Sequence, residues 1–361
     1  MEEKDKRKYF TKQLLVWNDK YNNRQMPWKG EKDPYKIWLS EIILQQTRVE
    51  QGLEYYNRFV KTFPTVKYLA KAPETKIFKL WEGLGYYTRC KNLIATAKYI
   101  AVGLNGKFPN KYEEILALKG VGPYTAAAIG SFAFNIPKAV VDGNVFRVLS
   151  RYFGIDTAID SNDGKKKFTL LADDLLDKKK PGNYNQALMD FGAVICKPQL
   201  PVCNYCLLKK NCSALADNKV NELPVKEKSI VKKTRWFYYF IAEYKNQLYV
   251  RKRPAKDIWE NLYEFILIEE NEAATIDKLL SSKKIKELSG IKKVEIISVS
   301  GIYKQQLSHQ TICGQFIRIK LTKPLKARGF QLLEKTETKH LPFPKFINQY
   351  LQDKTVSLNL F

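Results

Sequence analysis

Leu118-Lys119-Gly120-Val121-Gly122-Pro123-Tyr124-Thr125 separates two stretches in which apolar residues recur every three or four positions, residues 112–118 before it and 124–134 after it. Glycine tolerates positive φ and lets backbone approach a ligand closely, so amides at the start of the second helix can face a phosphate. Gly120 and Gly122 thus outline a helix-hairpin-helix, which grips DNA backbone without reading sequence; a plain turn between helices carries the same glycines. The helical period continues outward through 37–59, 75–84 and 93–102 upstream, and 145–153 and 184–195 downstream. Residues 217–234 are polar, lysine-rich and contain Pro224, as an interdomain linker would. Past them, β-branched and aromatic runs at 236–244, 247–252, 263–268, 294–303 and 310–321 predict strands, with helices over 273–288 and 346–352. The expected organisation is an all-α domain over 1–216, a linker over 217–234 and an α+β or α/β domain over 235–361, without internal repeats.

The chain has 361 residues, 62 Lys and Arg against 37 Asp and Glu, and a formal charge of +25. Such an excess favours a polyanion through counterion release, nucleic acid above all; a lysine-rich surface set by genome composition gives the same arithmetic, and the lysine runs at 165–167 and 178–180 suit it. A 45% hydrophobic, 13% aromatic composition supports packed cores rather than disorder. The longest apolar-leaning stretch, 125–141, contains Asn135, Pro137 and Lys138 and falls short of the roughly 20 apolar residues that span a bilayer. MEEKDKRKYF is charged and lacks the apolar core of a secretion signal, so a cytoplasmic protein without a membrane partner is expected.

Four of the six cysteines fall within one run, Cys196, Cys203, Cys206 and Cys212, spaced C-x6-C-x2-C-x5-C. Four thiolates in a loop containing Pro198, Pro201, Asn204 and Asn211 suit zinc or an iron-sulfur cluster, and composition does not choose between them. Cys90 and Cys313 stand apart and read as small apolar residues.

Twenty residues beyond Gly122 lies Val140-Val141-Asp142-Gly143-Asn144-Val145, where Asp142 alone would read as a helix N-cap. Taken together, hairpin, carboxylate and cysteine run resemble the helix-hairpin-helix DNA glycosylase superfamily with its endonuclease-III type of loop. Pro27-Trp28, Ser40-Glu41-Ile42-Ile43-Leu44-Gln45-Gln46-Thr47, Gly83-Leu84-Gly85-Tyr86-Tyr87 and the Val-Asp-Gly-Asn-Val run are similar to the MutY family of adenine DNA glycosylases, over essentially the whole chain. The resemblance implies a 4Fe-4S cluster on Cys196, Cys203, Cys206 and Cys212. Where bifunctional relatives place a Schiff-base lysine after the hairpin, this chain has Tyr124, whose phenol forms no imine, so a monofunctional enzyme is implied.

By the same resemblance, Glu41 is buried beside a flipped adenine, where desolvation raises its pKa, and protonates the base as general acid, although a glutamate on an apolar helix is by default exposed. Asp142 supports the oxocarbenium ion or attacks it transiently, with Tyr124 and Asn144 orienting Asp142 and the sugar. Gln46 and Tyr86 fill the gap left by the flipped base, and Lys29 occupies a position where relatives often carry Arg. Residues 235–361 resemble a Nudix-like lesion-recognition module through Arg251-Lys252-Arg253-Pro254 and Trp259-Glu260-Asn261-Leu262-Tyr263-Glu264-Phe265, without the acidic helix of a nucleotide hydrolase. The family's Phe-Ser-His motif stands here as Leu307-Ser308-His309, with Ser308 and His309 expected on 8-oxoguanine and a phosphate. The implied partner is duplex DNA with adenine opposite 8-oxoguanine or guanine, met by a nucleoid-associated monomer. The alternatives are a thymine-glycol or uracil glycosylase on the same scaffold, a non-catalytic lesion marker and a Nudix hydrolase; Glu41 and Asp142 weigh against the marker, the absent acidic helix against the hydrolase.

Overall fold

A computed structural model describes residues 2–227, 232–282, 295–325, 329–353, 356 and 360. By backbone contacts the chain divides into two units, Met1–Lys71 with Asn92–Ser229, and Ala72–Lys91 with Ile230–Phe361.

The first unit is helical, with α1 (Glu3–Tyr21), α2 (Pro34–Leu44), α3 (Val49–Thr62) and α4 (Val66–Lys71) ahead of the segment that belongs to the other unit. That segment holds α5 (Glu74–Trp81) and the first residues of α6 (Tyr87–Gly103). There follow α7 (Tyr112–Leu116), α8 (Pro123–Phe134), α9 (Gly143–Phe153), α10 (Asn162–Leu175), α11 (Pro181–Val194), 3-10 turns at Cys203–Tyr205 and Lys209–Asn211, and α12 (Ser213–Ala216). The expected continuous helix over 37–59 is two helices, because the chain leaves α2 at Gln45 and passes through Gln46 at φ 55°. No glycine or proline marks that break.

Helix α2 is capped by Asp33, which accepts from the Tyr35 amide at 2.9 Å, and starts on Pro34. Its Tyr35, Ile37, Trp38, Leu39, Ile42 and Ile43 are buried, so the helix is enclosed on nearly every side. Small residues on α8, Ala126, Ala127 and Ala128, are buried in the same interior, and α8 packs on α2. Helix α1 was not among the expected helices, since only a narrow stripe of Phe10, Leu14 and Trp17 interrupts its charges. That stripe joins Val145, Leu149, Phe168, Leu188 and Phe191 in one core.

Among the described residues, the second unit is built on an eight-stranded mixed sheet. Its centre is β1 (Lys233–Tyr244), which turns through Lys245 and Asn246, both at positive φ, into antiparallel β2 (Gln247–Lys252), with Tyr244 opposite Gln247. Strand β2 also pairs with β3 (Tyr263–Glu264) and β8 (Gln331–Glu334), and β4 (Ile266–Glu270) pairs with β1. On its other side β1 runs parallel to β7 (Gln310–Lys320), which carries β5 (Glu295–Val299) and β6 (Tyr303–Gln306). Among the described residues, helices α13 (Ile276–Leu280), α14 (Lys335–Thr338) and α15 (Lys345–Leu351) also belong to the unit.

Strand β1 is buried on both faces and alternates as the pleat requires. Tyr238, Phe240 and Ala242 meet Leu279 of α13 on one side, while Phe237 and Tyr239 meet Trp259 and Phe346 on the other. Within the quoted Arg251 to Phe265 region, Glu264 is wholly buried and paired with both Arg251 and Arg253. The expected strand over 263–268 divides at Phe265, and that over 294–303 is interrupted at Ser300, Gly301 and Ile302, between β5 and β6. Residues 283–288 of the expected helix 273–288, residue 294 of the expected strand and residues 228–231 of the expected linker lie outside the described residues.

Candidate active site

Because α2 is enclosed, Glu41 in its second turn is only 5% exposed, against the usual surface position of a glutamate. Burial pushes its carboxyl up to about 7; the Tyr124 hydroxyl donates to it and pulls the other way, and the nearby Asp142 charge adds to the rise. Tyr124 reaches Glu41 because Pro123 starts α8 directly after the hairpin, with Gly122 as N-cap. Its hydroxyl donates to Glu41, and it also interacts with the nearby charge of Asp142. Gly120 takes φ 80° in the hairpin, and a Cβ there would meet the side chain of Asn92 at 2.7 Å. A Cβ on Gly122 would meet nothing within 4 Å, so the hairpin tip faces open space.

Asp142 is indeed the N-cap of α9. Its Oδ1 accepts from the Asn144 and Val145 amides, both at 2.8 Å, and its Oδ2 from Asn144 Nδ2 at 2.7 Å. Burial raises its pKa, and those donors together with the Arg147 charge offset the rise only in part. Capping and proximity to Glu41 therefore coexist in one carboxylate.

Arg147 was not singled out from sequence, yet it braces this group. It donates to Asn144 Oδ1 and the Gly192 carbonyl, each at 2.8 Å, and through Nε to the Cys196 carbonyl at 2.7 Å. A Cβ on Gly192 would meet that of Asn144 at 2.7 Å, so glycine is what lets α11 come this close to α9. One signal was available: Arg147 and Arg151 lie four apart on a helix with an apolar face, and both are buried.

Cys196, Cys203, Cys206 and Cys212 are free, partly buried thiols. Every pair among the four interacts electrostatically, and burial pushes Cys206 up to about 12. Among the described residues no three His, Cys, Asp or Glu side chains form a group that would hold a metal ion. Positive groups surround the loop: Arg151 donates to Cys196 Sγ at 3.5 Å, and Lys6 lies beside Cys212 while donating to Ser213 Oγ at 2.6 Å. The donor set thus fits an anionic group held by several thiolates.

Both wedge candidates are non-glycine residues at positive φ, 55° for Gln46 and 48° for Tyr86, and both are exposed. In the second unit, the Tyr86 hydroxyl is hydrogen-bonded to Ser308 Oγ. The two residues line a cavity of about 430 Å3 together with Lys91, Trp259, Glu260 and His309. His309 is exposed, and its carbonyl accepts from the Lys233 amide at 3.3 Å. Lys29 ion-pairs with the fully buried Asp190 at 3.1 Å and donates to the Arg24 carbonyl at 2.8 Å. No helix among the described residues is long and apolar enough to cross a membrane.

Comparison with known proteins gives a consistent outcome. Residues 39–173 match the HhH-GPD superfamily of base excision DNA repair proteins, and residues 237–353 match the NUDIX domain. A protein of Buchnera aphidicola subsp. Baizongia pistaciae (strain Bp) named adenine DNA glycosylase is 38% identical over 306 residues, 84% of this chain and 84% of its own length. Its counterpart of the same name in subsp. Acyrthosiphon pisum (strain APS) is 36% identical over 281 residues, 77% of this chain and 79% of its own. Among solved structures, a thermostable thymine-DNA glycosylase is 33% identical with a TM-score of 0.55, covering 59% of this chain and 98% of that one.

Proposed function

The chain belongs to the adenine DNA glycosylases of the MutY family, enzymes of base excision repair, and from that membership we propose a monofunctional enzyme that removes adenine paired with 8-oxoguanine or guanine. The carrying observation is Glu41, a buried carboxyl with a pKa of about 7 beside a second carboxylate. At neutral pH a large share of it keeps its proton, which it gives to N7 of an extruded adenine. The N9–C1′ bond then breaks with its electron pair leaving on the base, and C1′ acquires oxocarbenium character. Asp142, held by two amides and Asn144, meets that charge as stabiliser or transient nucleophile. Water adds to C1′, and the proton it releases returns to Glu41.

Gly120 and Gly122 present the hairpin to backbone phosphate, Gln46 and Tyr86 fill the vacated stack, and Ser308 with His309 reads the base opposite. Support for the last role comes from the cavity that Tyr86 and Ser308 share. Cys196, Cys203, Cys206 and Cys212 hold a 4Fe-4S cluster: what supports this is the spacing C-x6-C-x2-C-x5-C that the chain shares with the family, together with the mutual electrostatic interaction of the four thiols. When bound, the cluster closes the loop and stabilises its fold.

A single-turnover assay on a duplex with one adenine opposite 8-oxoguanine tests the reading. Strand cleavage is expected only after hot alkali, since Tyr124 offers no amine; cleavage without alkali would overturn the monofunctional assignment. Binding without base release would overturn the catalytic roles.

A further inference from the structure

Within the unit formed by Ala72–Lys91 and Ile230–Phe361, the chain leaves α5 and turns through Gly83, Leu84, Gly85 and Tyr86. Gly83, Gly85 and Tyr86 have φ of 94°, 74° and 48°, a conformation that must be held by its surroundings. It is held from within: the Trp81 indole donates to the Gly85 carbonyl at 3.1 Å, and Arg89 donates to the carbonyls of Leu84 and Gly85 at 3.4 and 3.3 Å. The turn leaves Tyr86 exposed, with its hydroxyl on Ser308.

A braced turn still needs a fixed base, and the residue just before it supplies one. Glu82 Oε1 accepts from the Phe343 backbone amide at 3.0 Å and from Asn348 Nδ2 at 2.5 Å. Its Oε2 pairs with Lys79 at 2.9 Å, and Lys79 also donates to the Leu341 carbonyl at 3.1 Å. The Glu82 side chain is 18% exposed, so these charge-assisted bonds are partly shielded from water. Phe343, Phe346 and Ile347 are buried, which anchors the segment that receives Glu82. Beyond the turn, Lys91 pairs with Glu260.

We propose that Glu82 is a positioning residue for lesion discrimination: by tying the turn 83–86 to residues 341–348 it sets the wedge residue Tyr86 against Ser308, which reads the base opposite. This rests on the assignment of Tyr86 to the vacated stack and of Ser308 with His309 to the base opposite adenine. Glu82 touches neither base nor sugar, so its loss is felt in recognition and not in bond cleavage.

The experiment measures duplex affinity and single-turnover base release at saturating enzyme, for adenine opposite 8-oxoguanine and opposite guanine. Glu82→Ala is expected to reduce the affinity preference for 8-oxoguanine by about tenfold while keeping release at saturation within about twofold. Glu82→Gln, which still accepts from Phe343 and Asn348, is expected to keep most of the preference. Asn348→Ala is expected to lose part of it, and to add little to Glu82→Ala in the double variant, as residues of one contact do. Should Glu82→Ala fail to fold, Asn348→Ala carries the test alone. A wild-type preference in Glu82→Ala, or an equal loss of release rate on both duplexes at saturation, would overturn the role of Glu82. A wild-type enzyme without any preference would remove the lesion-reading premise, and the inference with it.

Discussion

Glu41 owes its chemistry to a conflict between its type and its place. In an unfolded chain its carboxyl has a pKa near 4.5, and in the folded protein near 7. The folded state therefore binds its proton more tightly, so stability falls as pH rises between those values and is level beyond them. Glu41→Gln removes that cost and is expected to be more stable at pH 8, by up to about 3 kcal/mol, in urea unfolding. The same variant, like Asp142→Asn, is expected to lose base release by about 1000-fold or more while still binding lesion duplex; substantial activity in either would remove the assigned roles. In the wild type, single-turnover release is expected to be level below pH 7 and to fall by about tenfold per pH unit above it, as one proton is lost from the acid. A rate that rises through that range would mean Glu41 acts as a base.

Helix α9 joins the two parts of the site because one of its turns does two tasks. Its first residues cap onto Asp142, and Arg147 one turn later spans Asn144 and the carbonyls of Gly192 and Cys196. Removing that guanidinium leaves several buried acceptors unpaired, so Arg147→Ala is expected to cost about 2–4 kcal/mol in urea unfolding and to slow base release. A cost under about 0.5 kcal/mol would show that water replaces the side chain. The regular structure of the cysteine loop is limited to two three-residue 3-10 turns, so Cys203→Ser is expected to yield protein with less bound iron and a lower melting temperature, read by iron assay and calorimetry. A colourless, fully active wild-type protein containing zinc would refute the cluster and leave the glycosylase untouched.

The whole chain carries a charge of +25, and its consequence is read in salt. With six or more phosphates engaged, affinity for duplex is expected to fall by about 1000-fold or more between about 50 and about 200 mM salt. A flat dependence would mean the lysines are spread as a solvating surface and do not meet DNA. The division into units is also a property of the whole: residues 72–91, helical in pattern and upstream of the hairpin, group with the sheet-containing unit. Nothing in their local sequence indicates this, because Glu82 and Lys79 find their partners some 260 residues later.

The class of each half is legible in the order of residues, since a period of three to four residues and a period of two leave different marks. So is the family, through spacings such as C-x6-C-x2-C-x5-C and the hairpin glycines, which are local and need no fold to be seen. Where interactions are local, as in the Asp142 cap on α9, the residues were legible in advance. The burial of Glu41 was legible only through the family resemblance, and its bond to Tyr124 and the bracing by Arg147 were not, because each depends on residues brought together from distant helices. The break at Gln46 was hidden for the same reason: no intrinsic breaker is present, and the positive φ is imposed by the surrounding structure. How strongly Glu41 holds its proton near neutrality follows from the packing around it, because desolvation is a property of surroundings and not of residue type.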